Sequence, residues 1–265
     1  MVFITHLHAD HTTGLPGLLN TLKISGKKDV IKIIGPIGIR NFVREIFECF
    51  IMEPIPYEIE VHEIDLMDNT PFKTVVETEN FSIVAFRTNH DVPSLGYAFL
   101  EKHQYRFDAS RANKLGIPYS PIRQKLIRGE RVILPDGRII KPEDVLYKVS
   151  SGRKIVYTGD TKPIKDKDIL NIFKKADMLI HDATFIRKYH ASVAEQRFHS
   201  TIEDAIEVAI ETNVKRLALF HISARYTEEE LIQQVIRDTV VKLCKENKKE
   251  CPEVIVPNDD FNLIL

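Results

Sequence analysis

The chain has little cysteine: Cys49, Cys244 and Cys251 are the three in 265 residues, scattered and without a CxxC pair. That scarcity argues against a disulfide framework or a zinc ribbon and reads as three ordinary thiols. No run of about 18 apolar residues occurs, so no membrane span is indicated. The N-terminus lacks the charged, apolar and small-residue succession of a secretion signal, and a soluble, intracellular, cytoplasmic protein is expected. An excess of one charge is missing too: 37 Lys and Arg stand against 38 Asp and Glu, so overall charge points to no nucleic-acid partner. Internal repeats and low-complexity tracts are absent.

What the chain does have is concentrated at its start. Thr5-His6-Leu7-His8-Ala9-Asp10-His11 puts three imidazoles and one carboxylate into six consecutive positions. In extended backbone His6 and His8 share a face, and a turn after Ala9 swings Asp10 and His11 toward a second point. Neutral imidazole and carboxylate at this density are the ligands that Zn²⁺ or Mn²⁺ take. Further ligand types follow apolar runs downstream: Asn89-His90-Asp91-Val92-Pro93 after 82–86, Thr158-Gly159-Asp160-Thr161 after 154–157, and His221-Ile222-Ser223 after 217–220. Functional groups of layered α/β folds gather where strands end and loops begin, so these exits can converge on one sheet edge.

The hydropathy pattern predicts helices from Leu15, over 41–50, 167–175, 202–212 and 228–245. It predicts strands over 30–34, 58–64, 74–77, 81–86, 95–100, 155–158, 178–181 and 216–220. Strands 58–64 to 95–100 read as one meandering layer, and the later alternation of strands and helices fits an αββα sandwich. Thr201 caps the helix beginning at Ile202, with Asp204 as its capping-box partner. The stretch from Arg106 to Lys148 breaks the rhythm and is too long and polar for a hairpin loop. Between Glu101 and Lys154, thirteen basic residues face six acids, a local balance of +7 against −8 elsewhere. Such an insertion is a candidate phosphate-binding arm; the bland alternative is a solvated loop.

The order of these motifs resembles the metallo-β-lactamase superfamily and, within it, the ribonuclease Z family, the endonucleases that mature the 3′ end of transfer RNA. The first block, Thr5 to His11 with Gly14-Leu15-Pro16-Gly17-Leu18-Leu19, marks the superfamily. VPSLGY (92–97), HDATF (181–185), HST (199–201) and HISARY (221–226) mark the tRNA-processing branch. The resemblance implies one domain over 1–265, a metallo-β-lactamase αββα sandwich, with a flexible arm inserted at 102–150. Family members carry further strands before the histidine nest, so the first sheet is expected to be incomplete. His6, His8 and His90 would hold one Zn²⁺ and Asp10, His11 and His221 another, with Asp160 bridging; Mn²⁺ can substitute.

Two such cations lower the pKa of a shared water and neutralise phosphoryl charge, so the implied function is metal-activated hydroxide attack that removes the 3′ trailer of pre-tRNA. The tRNA keeps a 3′-hydroxyl and the trailer a 5′-phosphate. Asp10 would orient the attacking water, and His199, supported by Asp182, would protonate the leaving oxygen. Asp182 stands where the family usually has glutamate, one methylene longer. The arm, in the family a grip on the tRNA elbow with a Gly-Pro motif, here reads Ser120-Pro121, with Pro121, Arg123 and Lys125 as its implied substrate contacts. Arg225 either touches a substrate phosphate or pairs at the sheet edge. His181 reads as structural, and His62, His103 and His190 as surface residues. A homodimer is implied by resemblance alone. Two other functions stay open: a hydrolase of the same superfamily acting on a small molecule, which has no use for a basic arm, and an inactive RNA-binding fragment, which would hold no metal.

Overall fold

In the computed structural model, which describes residues 1–50, 54–66, 70–258 and 263, the chain divides into two units. Residues 1–77, 82–100 and 154–265 make the first, and residues 78–81 and 101–153 the second.

Short apolar runs rich in β-branched residues give the first unit its larger sheet. Its seven strands run in the order Glu253–Ile255, Arg216–Phe220, Met178–Asp182, Lys154–Tyr157, Leu95–Glu101, Phe81–Arg87 and Phe72–Glu77. The first four are mutually parallel, and Lys154–Tyr157 then pairs antiparallel with Leu95–Glu101. Their crossovers contain the helices Lys167–Phe173, Arg187–Gln196, Ile202–Glu211 and Glu229–Asn247. Phe86, Phe173, Leu179 and Ile206 form the centre of the core against this sheet, and the Phe86 and Phe173 rings meet edge to face at 5.2 Å. The registers set Tyr157 beside Ile180 and Tyr97, and Asp182 beside Phe220. The carboxyl ends of three parallel strands and the 88–94 loop therefore lie along one edge.

The smaller sheet is parallel throughout: Val2–Phe3, Ile31–Pro36 and Ile59–Ile64. Helices Gly14–Ile24 and Ile39–Phe50 contribute Leu19, Ile39 and Ile46 to its core around Ile33. Strand Ile59–Ile64 thus belongs to this sheet and not to the layer that follows it in sequence, which corrects the single meander expected. The physical reason is the helix before it, which acts as the crossover of a βαβ unit and delivers the next strand parallel to the one it left; period-two alternation carries no such information. With helices on both sheets the unit has the αββα arrangement. The sheets meet at Tyr97, whose hydroxyl donates to the Ile4 carbonyl at 2.7 Å and whose ring lies 5.1 Å from that of Phe3. Leu95 N donates to Thr5 O at 2.9 Å, which seats the start of the histidine segment against the larger sheet.

The second unit has a core of its own, formed by Ala112, Ile117, Leu126, Val132, Leu134, Ile140 and Val145. Gln104–Phe107 pairs antiparallel with Leu146–Ser150. Ser120 is the N-cap of helix Pro121–Ile127, accepting from Ile122 N, and Pro121 takes the first helical position, where its missing N–H costs nothing. This gives serine a local reason to stand before that proline. Arg123 spends its guanidinium within the unit, donating from Nη2 to Ile117 O at 2.7 Å and Asn113 Oδ1 at 2.5 Å, and from Nε to Pro118 O at 3.2 Å. Lys125 is exposed.

One reading of the cysteines is overturned: Cys244 and Cys251 form a disulfide, Cα to Cα 5.8 Å, while Cys49 is a free, exposed thiol. Lys248 ends the last helix in the left-handed conformation, φ 51°. That turn folds the chain back, so a seven-residue spacing without a recognisable motif still closes.

Gly96 lies in a strand where an added Cβ would come within 2.2 Å of the Phe86 ring and 3.0 Å of Tyr157 O. Gly96→Ala is expected to cost about 1–3 kcal/mol by overpacking. Gly17, inside the Gly14–Ile24 helix with nothing within 4 Å of such a Cβ, is expected to gain about 0.5–1 kcal/mol on Gly17→Ala. Urea unfolding of both variants checks the pair.

Candidate metal centre

Strand Val2–Phe3 delivers His6 and His8 to the sheet edge, and backbone extended at His8 (φ −67°, ψ 151°) gives way to the short helix Ala9–Thr12, which carries Asp10 and His11. The turn expected after Ala9 is this helix. The His6 ring lies 4.8 Å from those of His8 and His90 and 4.1 Å from that of His11. His8 Nδ1 and His90 Nε2 are 3.3 Å apart. On the other side, Asp10 Oδ2 lies 3.4 Å from His11 Nε2 and 3.8 Å from His221 Nε2. Asp160 Oδ2 lies 3.3 Å from His11 Nε2 and 3.5 Å from His221 Nε2. His6, His8 and His90 form one set of donor atoms within 4.8 Å of one another, and Asp10, His11 and His221 form a second. Asp160 groups with His6 and His11 on one side and with His199 and His221 on the other. All seven residues singled out in the sequence come together.

Backbone strain accompanies this convergence. Gly159, Phe198 and His221 have φ values of 64°, 57° and 62°, a region that side-chain-bearing residues adopt at a cost and that clusters at functional sites. At Gly159 a Cβ would sit 2.9 Å from Thr5 Cγ2, so glycine lets the Asp160 loop pass against the histidine segment. Phe198 turns its carbonyl to accept from His90 Nδ1 at 3.1 Å. Because a carbonyl only accepts, that bond places the His90 proton on Nδ1 and leaves the Nε2 lone pair facing His8.

Burial, and then the neighbouring His11, depresses the His6 pKa to about 4, so its ring is neutral near pH 7. Burial alone would raise the Asp160 pKa, but the His11 hydrogen bond and the charge of His221 outweigh it and hold the carboxyl at about 2. His11 is shifted up, chiefly by its bond to Asp160. His6 Nε2 and Asp160 Oδ1 are buried and have no hydrogen-bond partner among the described residues. Unpartnered buried polar atoms are costly, and both belong to side chains of the cluster of nitrogen and carboxylate donors. This donor set fits a divalent cation of the Zn²⁺ or Mn²⁺ type.

Beside the cluster, Asp182 is fully buried and its Oδ2 lies 2.7 Å from His199 Nδ1. The aspartate makes this contact from the last position of strand Met178–Asp182. Burial disfavours the His199 cation, but Asp182 outweighs it and the net shift is upward, so His199 tends to hold a proton. Arg225 forms no ion pair among the described residues; its guanidinium lies 5.1 Å over the Phe185 ring, and Nε donates to Ser223 Oγ at 3.0 Å. His181 is buried, with Nδ1 2.8 Å from Asp182 O. His62 and His103 are exposed, but His190 is not the surface residue expected: it is half-buried, with Nδ1 2.6 Å from the Tyr226 hydroxyl. Sequence reasoning missed Thr184 and Phe198, whose hydroxyl and carbonyl face the cluster, and Asp91, whose Oδ1 lies 3.2 Å from His90 Nε2. Asp91 was signalled by its place after His90; the other two had no signal beyond adjacency to a motif.

Comparison with known proteins agrees with this geometry. A family model described as a β-lactamase superfamily domain matches residues 1–108 and 141–222. Ribonuclease Z of Methanosarcina acetivorans is 38% identical over 263 residues, covering 99% of this chain and 79% of that protein. Ribonuclease Z of Archaeoglobus fulgidus is 39% identical over 247 residues, covering 91% and 77%. Among solved structures, human tRNase Z, short form, superposes with a TM-score of 0.58 at 26% identity, covering 85% of this chain and 73% of that one. The metallo-β-lactamase fold protein YhfI of Bacillus subtilis reaches 0.57 at 15% identity over 98% and 75%, a likeness of fold alone.

One outcome tests the centre and another the buried histidine beside it. Chelation is expected to lower Tm and added Zn²⁺ to restore it, since a ligand bound only by the folded state stabilises it; in Asp160→Ala the ion's effect should largely vanish, as calorimetry with and without metal would show. His181, fully buried, has its pKa pushed below the ordinary 6.5 by that burial. Below pH 6.5 the unfolded chain therefore takes a proton that the folded chain refuses. The group's contribution is intact above that pH and declines as pH falls, by at most about 1.4 kcal/mol per pH unit. The loss of unfolding free energy from pH 7 to 5 should thus be shallower in His181→Leu than in wild type.

Proposed function

The chain belongs to the ribonuclease Z family of the metallo-β-lactamase superfamily, and we propose that it is an endoribonuclease that removes the 3′ trailer of pre-tRNA. The observation that carries this reading is the seven-donor cluster with the pair of half-buried His199 and buried Asp182 at its side. His6, His8 and His90 would hold one Zn²⁺, and Asp10, His11 and His221 the other, with Asp160 shared. Bound there, the ions would supply an activated water at neutral pH and offset charge on the phosphoryl group. Asp10, two-thirds exposed at its side chain, would accept a proton from the attacking water. As the P–O3′ bond breaks, the leaving oxygen takes a proton from His199 Nε2, because Nδ1 is held by Asp182. The products are a tRNA 3′-hydroxyl and a trailer 5′-phosphate. A cleft of about 850 Å³ opens beside His199 and Asn89, room enough for a nucleoside.

Substrate selection falls to the second unit. Arg106, Arg111, Lys114, Lys125, Arg128 and Arg131 are exposed there, as are Tyr105 and Tyr119. Basic side chains interleaved with aromatics suit a phosphate backbone and unstacked bases. With Arg123 engaged within the unit, Lys125 and its exposed neighbours are the better candidates for tRNA contact, and Arg225, 5.1 Å over the Phe185 ring, for a phosphate near the centre. No helix among the described residues is long and apolar enough to cross a membrane. A homodimer working in the cytoplasm is the assembly that the family resemblance suggests.

An end-mapped assay on a pre-tRNA with a 3′ trailer and added Zn²⁺ or Mn²⁺ tests the activity: a metal-dependent cut near the discriminator base, absent in Asp160→Ala, is expected, and no cut from folded protein would refute it. His199→Ala should lower kcat by about 10²- to 10⁴-fold. Replacing residues 104–150 with a short linker should abolish tRNA cleavage and spare a small chromogenic phosphodiester; loss of both, or of neither, would overturn the division of labour.

A further inference from the structure

Asp182 accepts four hydrogen bonds, two at each oxygen. Thr161 N (3.0 Å) and His199 Nδ1 (2.7 Å) reach Oδ2; Thr184 N (2.9 Å) and Thr184 Oγ1 (2.7 Å) reach Oδ1. A buried carboxylate is acceptor only, with about four lone-pair sites, so the set is complete and the single hydroxyl proton of Thr184 is committed to Asp182. The Thr184 oxygen also lies 2.9 Å from His221 Nδ1. Having given its proton away, it can only accept there, so His221 must carry its proton on Nδ1 and present the Nε2 lone pair toward Asp10 and Asp160. His199 Nδ1 lies 3.2 Å from the same oxygen, but its proton goes to the shorter contact with Asp182.

We propose that Thr184 is a positioning residue that fixes the tautomer and orientation of the metal-ligand candidate His221 and, through the shared Asp182 carboxylate, locks it in register with the proton donor His199. The hydroxyl lies within hydrogen-bond distance of His221 in the donor cluster and of both Asp182 and His199, and the His199 and His221 rings stack beside it at 5.1 Å. Outer partners of this kind orient ligating histidines and raise their basicity. The inference rests on the reading of the centre given above, and it assigns to one threonine the coupling between ion binding and proton delivery. Loss of the hydroxyl would leave Asp182 Oδ1 one donor short and free His221 to take the wrong tautomer.

The test compares Thr184→Val, which keeps shape and removes the hydroxyl, with Thr184→Ser, which keeps the hydroxyl. Each purified full chain is stripped of metal and titrated with Zn²⁺ against a chromogenic chelator, without substrate; kcat and KM on pre-tRNA are measured separately. In Thr184→Val one of the two ion affinities should fall about 10- to 100-fold while the other holds, and kcat should fall with KM little changed. Thr184→Ser should stay near wild type in both. Wild-type affinities and kcat in Thr184→Val would overturn the proposal. So would equal weakening of both ion sites, which marks general loosening, or a serine variant as impaired as the valine one, which would assign the effect to methyl packing. A wild-type chain that binds fewer than two ions tightly would instead sink the reading of the centre on which the proposal rests.

Discussion

A fully buried carboxylate must have its lone pairs filled, and Asp182 meets that demand with donors from three separate loops. Satisfying it draws residues 158–162, 183–185 and 198–201 to one point at the carboxyl edge of the larger sheet. Two donors of the candidate metal cluster depend on those loops: Asp160 is next to Thr161, and His221 leans on Thr184. Further bonds stitch the same edge, with Asn89 N donating to Thr161 Oγ1 at 3.0 Å and Ser200 Oγ to Thr161 O at 2.7 Å. The left-handed residues Gly159, Phe198 and His221 are what this crowding demands of the backbone.

Electrostatics divide the cluster. Imidazoles in ring contact cannot all be charged, and the fold answers in two ways. On the His6 side burial removes the proton and leaves lone pairs. On the side of His11 and His199, Asp160 and Asp182 favour the protonated ring. Burial and carboxylate neighbours thus act in opposite directions on the rings of His6 and His11, which lie 4.1 Å apart.

The second unit works by a different physics. Its small core of short aliphatic side chains supports a surface of exposed cations and tyrosines. Under the proposed function, binding through such a surface would gain from counterion release and stacking and be salt-dependent.

The sequence by itself determined the donors. His6, His8, Asp10, His11, His90, Asp160 and His221 were legible because ligand chemistry demands particular residue types, and those types stood at the ends of apolar runs that declare strands. Most helices and strands were legible for the same reason, since their periods are local. The basic insertion showed itself as a charge imbalance that overall composition hides. Only the tertiary structure decided which sheet strand Ile59–Ile64 joins, that Cys244 and Cys251 meet, that His190 reaches Tyr226, and that the spare reach of Arg123 is used within its own unit. Each depends on contacts between residues distant along the chain or on a turn geometry that no short-range pattern encodes. The same holds for Thr184: its identity is ordinary, and its part arises from one buried carboxylate with no lone pair left to share.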